Sequence, residues 1–360
     1  MKEYLAIVEE ATRGTDPGSG YKFLPIKSGL VPKFEPKDEP RAEFRGTVLG
    51  KNNTRRISSA VSHSLEAYFY PGDELGLFFQ HLLGGMVTRA TLDTSAYKGL
   101  LYPVLMPYGD GAPLTTKAIG AVPNTNEEGT TKSQYFGGER VRSATISIKP
   151  DDDVSVSVEL GAPGAHVGAV DQTAIGSVSL PWVEPFTYAH AKFYIDASGP
   201  SRTGSAPEFS DIDPSGMTQF FPDEFNISIT NGLGDKDVLD VIASVNGTVR
   251  EGEPVVECDF SIDYRDPSTG FSPAAQFKSL YSDAQAVAIV VVLEHTELAG
   301  AATEKYKVVI DLPLLQVSAE PAERDVESKT PVQKFSFKGL SPDATMYPVA
   351  MMTIDQASAY

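Results

Sequence analysis

The sequence predicts a mainly β protein: two tandem β-sandwich or barrel units, each with a short helix and long loops, preceded by an N-terminal arm. Three observations lead there. Apolar residues alternate with polar ones in many segments, as in FNISIT, where Phe225, Ile227 and Ile229 share one face and Asn226, Ser228 and Thr230 the other. Glycine and proline breakers separate these segments, and helical periods are short. The order of strand, breaker and short helix also occurs in both halves.

Residues 1–20 read as an arm, weakly amphipathic at the helical period for about two turns, then broken by Gly14-Thr15-Asp16-Pro17-Gly18-Ser19-Gly20. The first unit spans 21–180. Prolines between Pro25 and Pro40 imply extended chain. From Ser59 to Tyr70, Val61, Leu65, Ala67 and Phe69 alternate with polar partners, and Pro71-Gly72 ends the run. Asp73 is placed to cap a helix whose stripe is Leu75, Phe78, Phe79, Leu82 and Leu83, stopped by Gly84-Gly85.

Residues 97–140 show little regular period and read as a long loop, of the kind that usually carries function. Arg142 to Leu160 gives the clearest hairpin, with Ile146, Ile148, Val154, Val156 and Val158 on one face and Lys149-Pro150-Asp151-Asp152-Asp153 as its tip. Ala162 to Leu180 has the small, flexible composition of a linker.

The second unit spans 181–360. In ECDFSIDY, Cys258, Phe260, Ile262 and Tyr264 form a core face, and Glu257, Asp259, Ser261 and Asp263 the opposite one. Asp266-Pro267 ends that strand, and Ser272-Pro273 offers a helix start before Phe277, Leu280 and Tyr281. Ala286 to Leu293 is either a central core strand or one covered on assembly, since such a run on an open edge would aggregate. YKVVIDLPLLQV and KFSFKG supply the remaining strands.

A chain of 360 residues with 41% hydrophobic content can bury a sizeable core. Acidic residues number 48 against 30 basic, a net charge of −18 that disfavours a surface built to grip nucleic acid. The pairs Arg55-Arg56 and Arg140 with Arg142 are too few for such a footprint and fit subunit contacts or nothing. No apolar run reaches bilayer length, and the N-terminal one is too short for a signal peptide, so the expectation is a soluble protein made in the cytoplasm, without membrane contact. The single Cys258 reads as a buried structural thiol.

Chemistry-bearing patterns are sparse. The five histidines (His63, His81, His166, His190, His295) lack metal-ligand spacing and read as surface or packing residues. Neither a nucleophile elbow nor a phosphate loop occurs. Asp211-x-Asp213-x-Ser215-Gly216 begins like a calcium loop, but Pro222 stands where the bidentate glutamate belongs. No cofactor or metal is implied. A β-sandwich binding module and a carboxylate-based glycoside hydrolase remain as other readings, the second requiring two acids across a cleft.

Taken together, Glu184-Pro185-Phe186-Thr187-Tyr188, Phe225 to Leu233, and Arg250-Glu251-Gly252 onward to Asp266 resemble the tail tube (major tail) proteins of long-tailed bacteriophages. FLPIKSG near Phe23, GDELGLFFQHLLGG and YKVVIDLPLLQVSAEPA extend the resemblance over most of the chain. It implies a non-catalytic virion subunit, assembled in the host cytoplasm, that forms stacked rings around a conduit for DNA. The implied partners are further copies of itself, the tape measure protein, and tail tip and terminator proteins, with double-stranded DNA passing unbound. Rings of this family are commonly six-fold with one unit per subunit, so two units per chain imply a trimeric, pseudo-hexameric ring. On that reading Glu66, Glu257, Asp259 and Asp263 are candidate lumen-facing acids. Leu100, Leu101, Tyr102, Val104, Leu105 and Met106, apolar residues of the long loop, are candidates for contact with the next ring.

Overall fold

The computed structural model describes residues 4–10, 17, 20–29, 32–40, 54–93, 95–103, 119–124, 131–161, 165–172, 183–236, 247–250, 252–263, 271–273, 280, 285–300, 303–318, 332–341 and 346–358. In the first half the elements are β1 (Tyr4–Glu9), β2 (Lys22–Pro25), β3 (Lys33–Pro40), β4 (Thr54–Tyr68), α1 (Asp73–Leu83), β5 (Gly84–Met86), β6 (Ala90–Thr91), β7 (Tyr97–Pro103), β8 (Ile119–Asn124), β9 (Thr131–Glu139), β10 (Val141–Ile148), β11 (Ser155–Leu160) and β12 (Ala165–Gln172). After a 3₁₀ turn (Tyr188–His190) come β13 (Ala191–Asp196), β14 (Ser201–Ser205), β15 (Glu208–Asp213), β16 (Thr218–Phe220), β17 (Glu224–Thr230), β18 (Leu233–Lys236), β19 (Gly247–Arg250), β20 (Val255–Asp263), β21 (Val287–Leu298), β22 (Lys305–Val317), β23 (Val332–Gly339) and β24 (Ala350–Asp355).

Alternation places the strands of the largest sheet. Its main path runs β16-β13-β21-β22-β23-β20-β17-β10-β11-β4-β3, with β24, β7, β5 and β6 joined beside β22. The hairpin β10–β11 closes as its pattern demands, Ile146 opposite Val156, and all five of its apolar residues are buried. Phe225, Ile227 and Ile229 of β17 meet Phe260, Cys258 and Val256 of β20 in register, also buried. Phe260 stacks on Phe335 and Phe337 of β23, with ring centroids 5.1 and 5.7 Å away.

The run around Ala286 to Leu293 is a central strand: β21 has β13 on one side and β22 on the other. Helix α1 packs Leu75, Phe78, Phe79, Leu82 and Leu83 into the main core, as its stripe requires. Gly72 occupies the N-cap position, and Gly84, at φ 85°, takes the left-handed conformation that ends the helix. The helix expected at Ser272-Pro273 lies almost wholly outside the described residues.

Three segments differ from expectation. The supposed arm contains β1, whose Leu5, Ala6, Ile7 and Val8 are all buried, inside a second sheet ordered β12-β9-β8-β1-β2. A strand covered on both faces loses the alternation that identifies a half-exposed one, so no period of two marks it. The supposed loop 97–140 holds β7, β8 and β9, and the supposed linker 162–180 holds β12, paired with β9. Leu100 and Leu101 in β7 face different cores, one with Val290 and Met352, the other with Phe79 and Met351.

β10 of the first half pairs with β17 of the second along Ser143–Ile148, and one core runs from Leu5 to Met351. A smaller core beneath the β14–β15 hairpin is tied by Arg202, whose guanidinium donates to both oxygens of buried Asp311 at 2.7 and 2.9 Å.

Cys258 is buried in the main core, and desolvation pushes its thiol well above the ordinary range, so almost no thiolate is present to react. A disulfide reagent is therefore expected to leave the native protein unlabelled for hours and to label it at once in denaturant. Rapid labelling of the native protein would show a strand β20 more open than this packing allows.

Candidate assembly surface

Six consecutive strands, β4, β11, β10, β17, β20 and β23, present one polar face to solvent. Directly paired residues of antiparallel strands put their side chains on the same side, so the registers define rows across the sheet. One row reads Glu66, Ser157, Thr145, Ser228, Glu257, Lys338. The next reads Tyr68, Ser155, Ser147, Asn226, Asp259, Ser336. Two of the candidate acids, Glu66 and Glu257, thus share a row although they come from different halves of the chain. Four strand spacings separate them, about 19 Å.

The face carries mostly small hydroxyls, with carboxylates held by neighbours. Thr145 donates to Ser228 at 3.3 Å, and Ser147 to Asn226 at 2.6 Å. Lys27 forms a 2.9 Å ion pair with Glu66, and hydrogen bonding to that carboxylate raises the pKa of the lysine. Asn226 and Lys149 both reach Glu224, at 3.2 and 3.1 Å, and lower its pKa. Glu257 is exposed opposite Lys338, Asp259 stands opposite Ser336, and Asp263 ends β20 opposite Val332. The lysines were not legible as part of this surface, because their partners are fixed by register across strands far apart in sequence.

The apolar candidates fall elsewhere. Leu100 and Leu101 are buried within the chain, and half-buried Tyr102 donates to Glu208 at 3.2 Å. Val104, Leu105 and Met106 lie outside the described residues.

β3 and the first half of β4 form a ribbon. Lys33 pairs with Ser62 and Pro40 with Thr54, whereas β11 pairs with β4 only from His63 to Tyr68. Among the described residues, β3 is therefore the only strand that pairs with Thr54–Ser62, and its eight residues span about 26 Å. At its root, buried His63 bonds the carboxylate of Glu139 through Nδ1 at 2.8 Å and the Gly29 carbonyl through Nε2 at 2.9 Å. Burial opposes charge on that imidazole, but Glu139 and Gly29 outweigh it and hold its pKa above the usual value.

The described residues hold no group of three or more His, Cys, Asp or Glu that could bind a metal. In the calcium-like segment, Asp213 accepts the Ser215 N–H and hydroxyl, both at 2.9 Å, and Asp211 pairs with Lys98. None of the described helices is long and apolar enough to cross a membrane.

Compared with known proteins, residues 2–322 match a family model described as phage tail tube protein. No curated protein matches the chain.

Proposed function

The chain belongs to the phage tail tube protein family, and on that premise we propose that its copies close into rings that stack into a hollow conduit for the tape measure protein and DNA. It is a structural component of the phage tail, from a family of structural proteins rather than enzymes. The observation that carries the proposal is the continuous polar face of β4, β11, β10, β17, β20 and β23, a smooth wall rich in hydroxyls and acids to which both halves contribute. Copies set side by side through their sheet edges extend that wall into a closed barrel and leave no edge free. The face then lines the bore, with Glu66, Glu257, Asp259 and Asp263 toward the DNA. Assembly takes place in the host cytoplasm, with tail tip and terminator proteins closing the two ends.

Each chain supplies two units to the ring. Support comes from how the strands divide: the five-stranded sheet draws every strand from the first half, whereas β13, β16, β21 and β22 all come from the second. The polar wall is shared equally, three strands from each half. Three chains then give a ring of six-fold appearance. Purified protein viewed by negative stain is expected to show rings or tubes, and native mass spectrometry of single rings a mass three times 38.7 kDa. Monodisperse globules would overturn the tube, and six chains per ring would overturn the two-unit count alone.

A further inference from the structure

We propose that His190 and His295 form a proton-sensitive latch that fastens the turn by which the chain enters its second half. The turn is a junction. Phe186 donates its N–H to the Phe69 carbonyl at 2.9 Å and accepts the Val154 N–H at 2.7 Å, joining the end of β4 to the β10–β11 hairpin. Tyr188 donates its N–H to the Asp152 carbonyl and its hydroxyl to the Pro222 carbonyl, the latter at 2.7 Å. His190 closes the turn, and its ring centroid lies 4.5 Å from that of His295 on β21. The Phe186 ring packs on both imidazoles.

Backbone donors fix one tautomer of both neutral rings. Thr187 donates its N–H to His190 Nδ1 at 3.1 Å, and Glu297 donates its N–H to His295 Nδ1 at 3.1 Å. A nitrogen that accepts an N–H carries no proton, so each neutral ring holds its proton on Nε2. His295 Nε2 is buried and meets no acceptor among the described residues. A second proton must therefore enter at Nδ1, facing a donor, and would break the bond that caps the turn or the one that orders the end of β21. Protonating both rings also sets two cations in contact.

The charged groups around the pair are Glu184 before the turn, Glu297 on β21, and Asp152 and Asp153 on the hairpin bridged to Thr187. Glu184 and Glu297 favour a charged His295, but burial and His190 outweigh them, and burial likewise lowers His190. A histidine whose folded pKa is depressed leaves the folded state short of protons that the unfolded chain takes up. Its stabilisation is complete above the ordinary value of 6.5 and is lost as pH falls through the folded pKa. His63 has the opposite sign: its contribution is complete below 6.5 and is lost as pH rises through its raised pKa.

The test uses the full chain with ¹⁵N-labelled histidine, followed by NMR from pH 8 to 5. His190 and His295 are expected as Nε2–H tautomers that titrate below 6.5; either ring found protonated at Nδ1 at neutral pH, or titrating at or above 6.5, overturns the latch. A second arm compares thermal midpoints with a His190→Asn/His295→Asn double variant, whose side-chain oxygens can accept the same N–H groups but do not titrate. The parent's midpoint should fall between pH 7 and pH 5 by more than the variant's, with His63 contributing equally to both. Equal falls overturn the proposal, and if the variant does not fold, the NMR titration decides alone.

Discussion

Replacing Glu35–Ala60 with Asn-Gly is expected to leave a folded monomer that forms no tubes at all. Phe34 and Val61 are opposite one another in the ribbon, so a two-residue turn can join them without disturbing the register below. His63, Gly29 and Glu139, which fasten the root, are retained. A thermal midpoint close to the parent's is expected, since a two-stranded ribbon by itself is marginal in water. What it offers is edge: β3 carries prolines at 36 and 40 and charges at 35, 37, 38 and 39, the features that protect an edge strand from indiscriminate pairing. The inner edge of Thr54–Ser62 has no such protection from proline and is the natural place for a neighbouring copy to add strands. Circular dichroism and thermal midpoint should match the parent, while electron microscopy shows no polymer. A folded variant that still builds tubes of normal length would remove the ribbon from the assembly surface.

The segment 97–140 reads as a loop in the sequence, yet it holds β8, the strand between β1 and β9. The error has a physical cause. Strands with one wet face announce themselves by alternation: β11, β17 and β20 alternate residue for residue, and β10 does so from Ala144 to Ile148. β1 and β7 are buried on both faces, and Leu100 next to Leu101 looks like an apolar patch awaiting a partner when in fact two internal cores already claim them. β12, AHVGAVDQ, is built from small residues that also suit a linker. The polar face was half legible: its acids could be assigned to one side of their strands, but not to shared rows with Lys338 and Ser157, because register between strands far apart in sequence is a tertiary fact.

Changing Asp259 and Asp263 to lysine is expected to slow DNA ejection from assembled particles severely at low salt and to restore it as salt rises. Duplex DNA presents about one charge per 1.7 Å of axis, and each lysine that neutralises a phosphate adds affinity that falls with salt at a logarithmic slope of about −0.9. In the proposed stack of rings every copy carries the change, so a weak contact per chain would become a long series of brakes. On the native face lysines 27 and 149 are engaged by Glu66 and Glu224, Lys338 stands opposite Glu257, and Lys334, opposite Ser261, helps lower the pKa of Glu224. In the proposed luminal position the remaining carboxylates would repel the duplex over roughly the 8 Å Debye length of physiological salt. Both positions are partly exposed on the polar side of β20, away from Cys258, Phe260 and Ile262, so the substitutions leave the core intact. Ejection rates measured across salt concentrations read the effect directly. Particles that assemble with the lysines and eject at the native rate, whatever the salt, would place this face outside the channel.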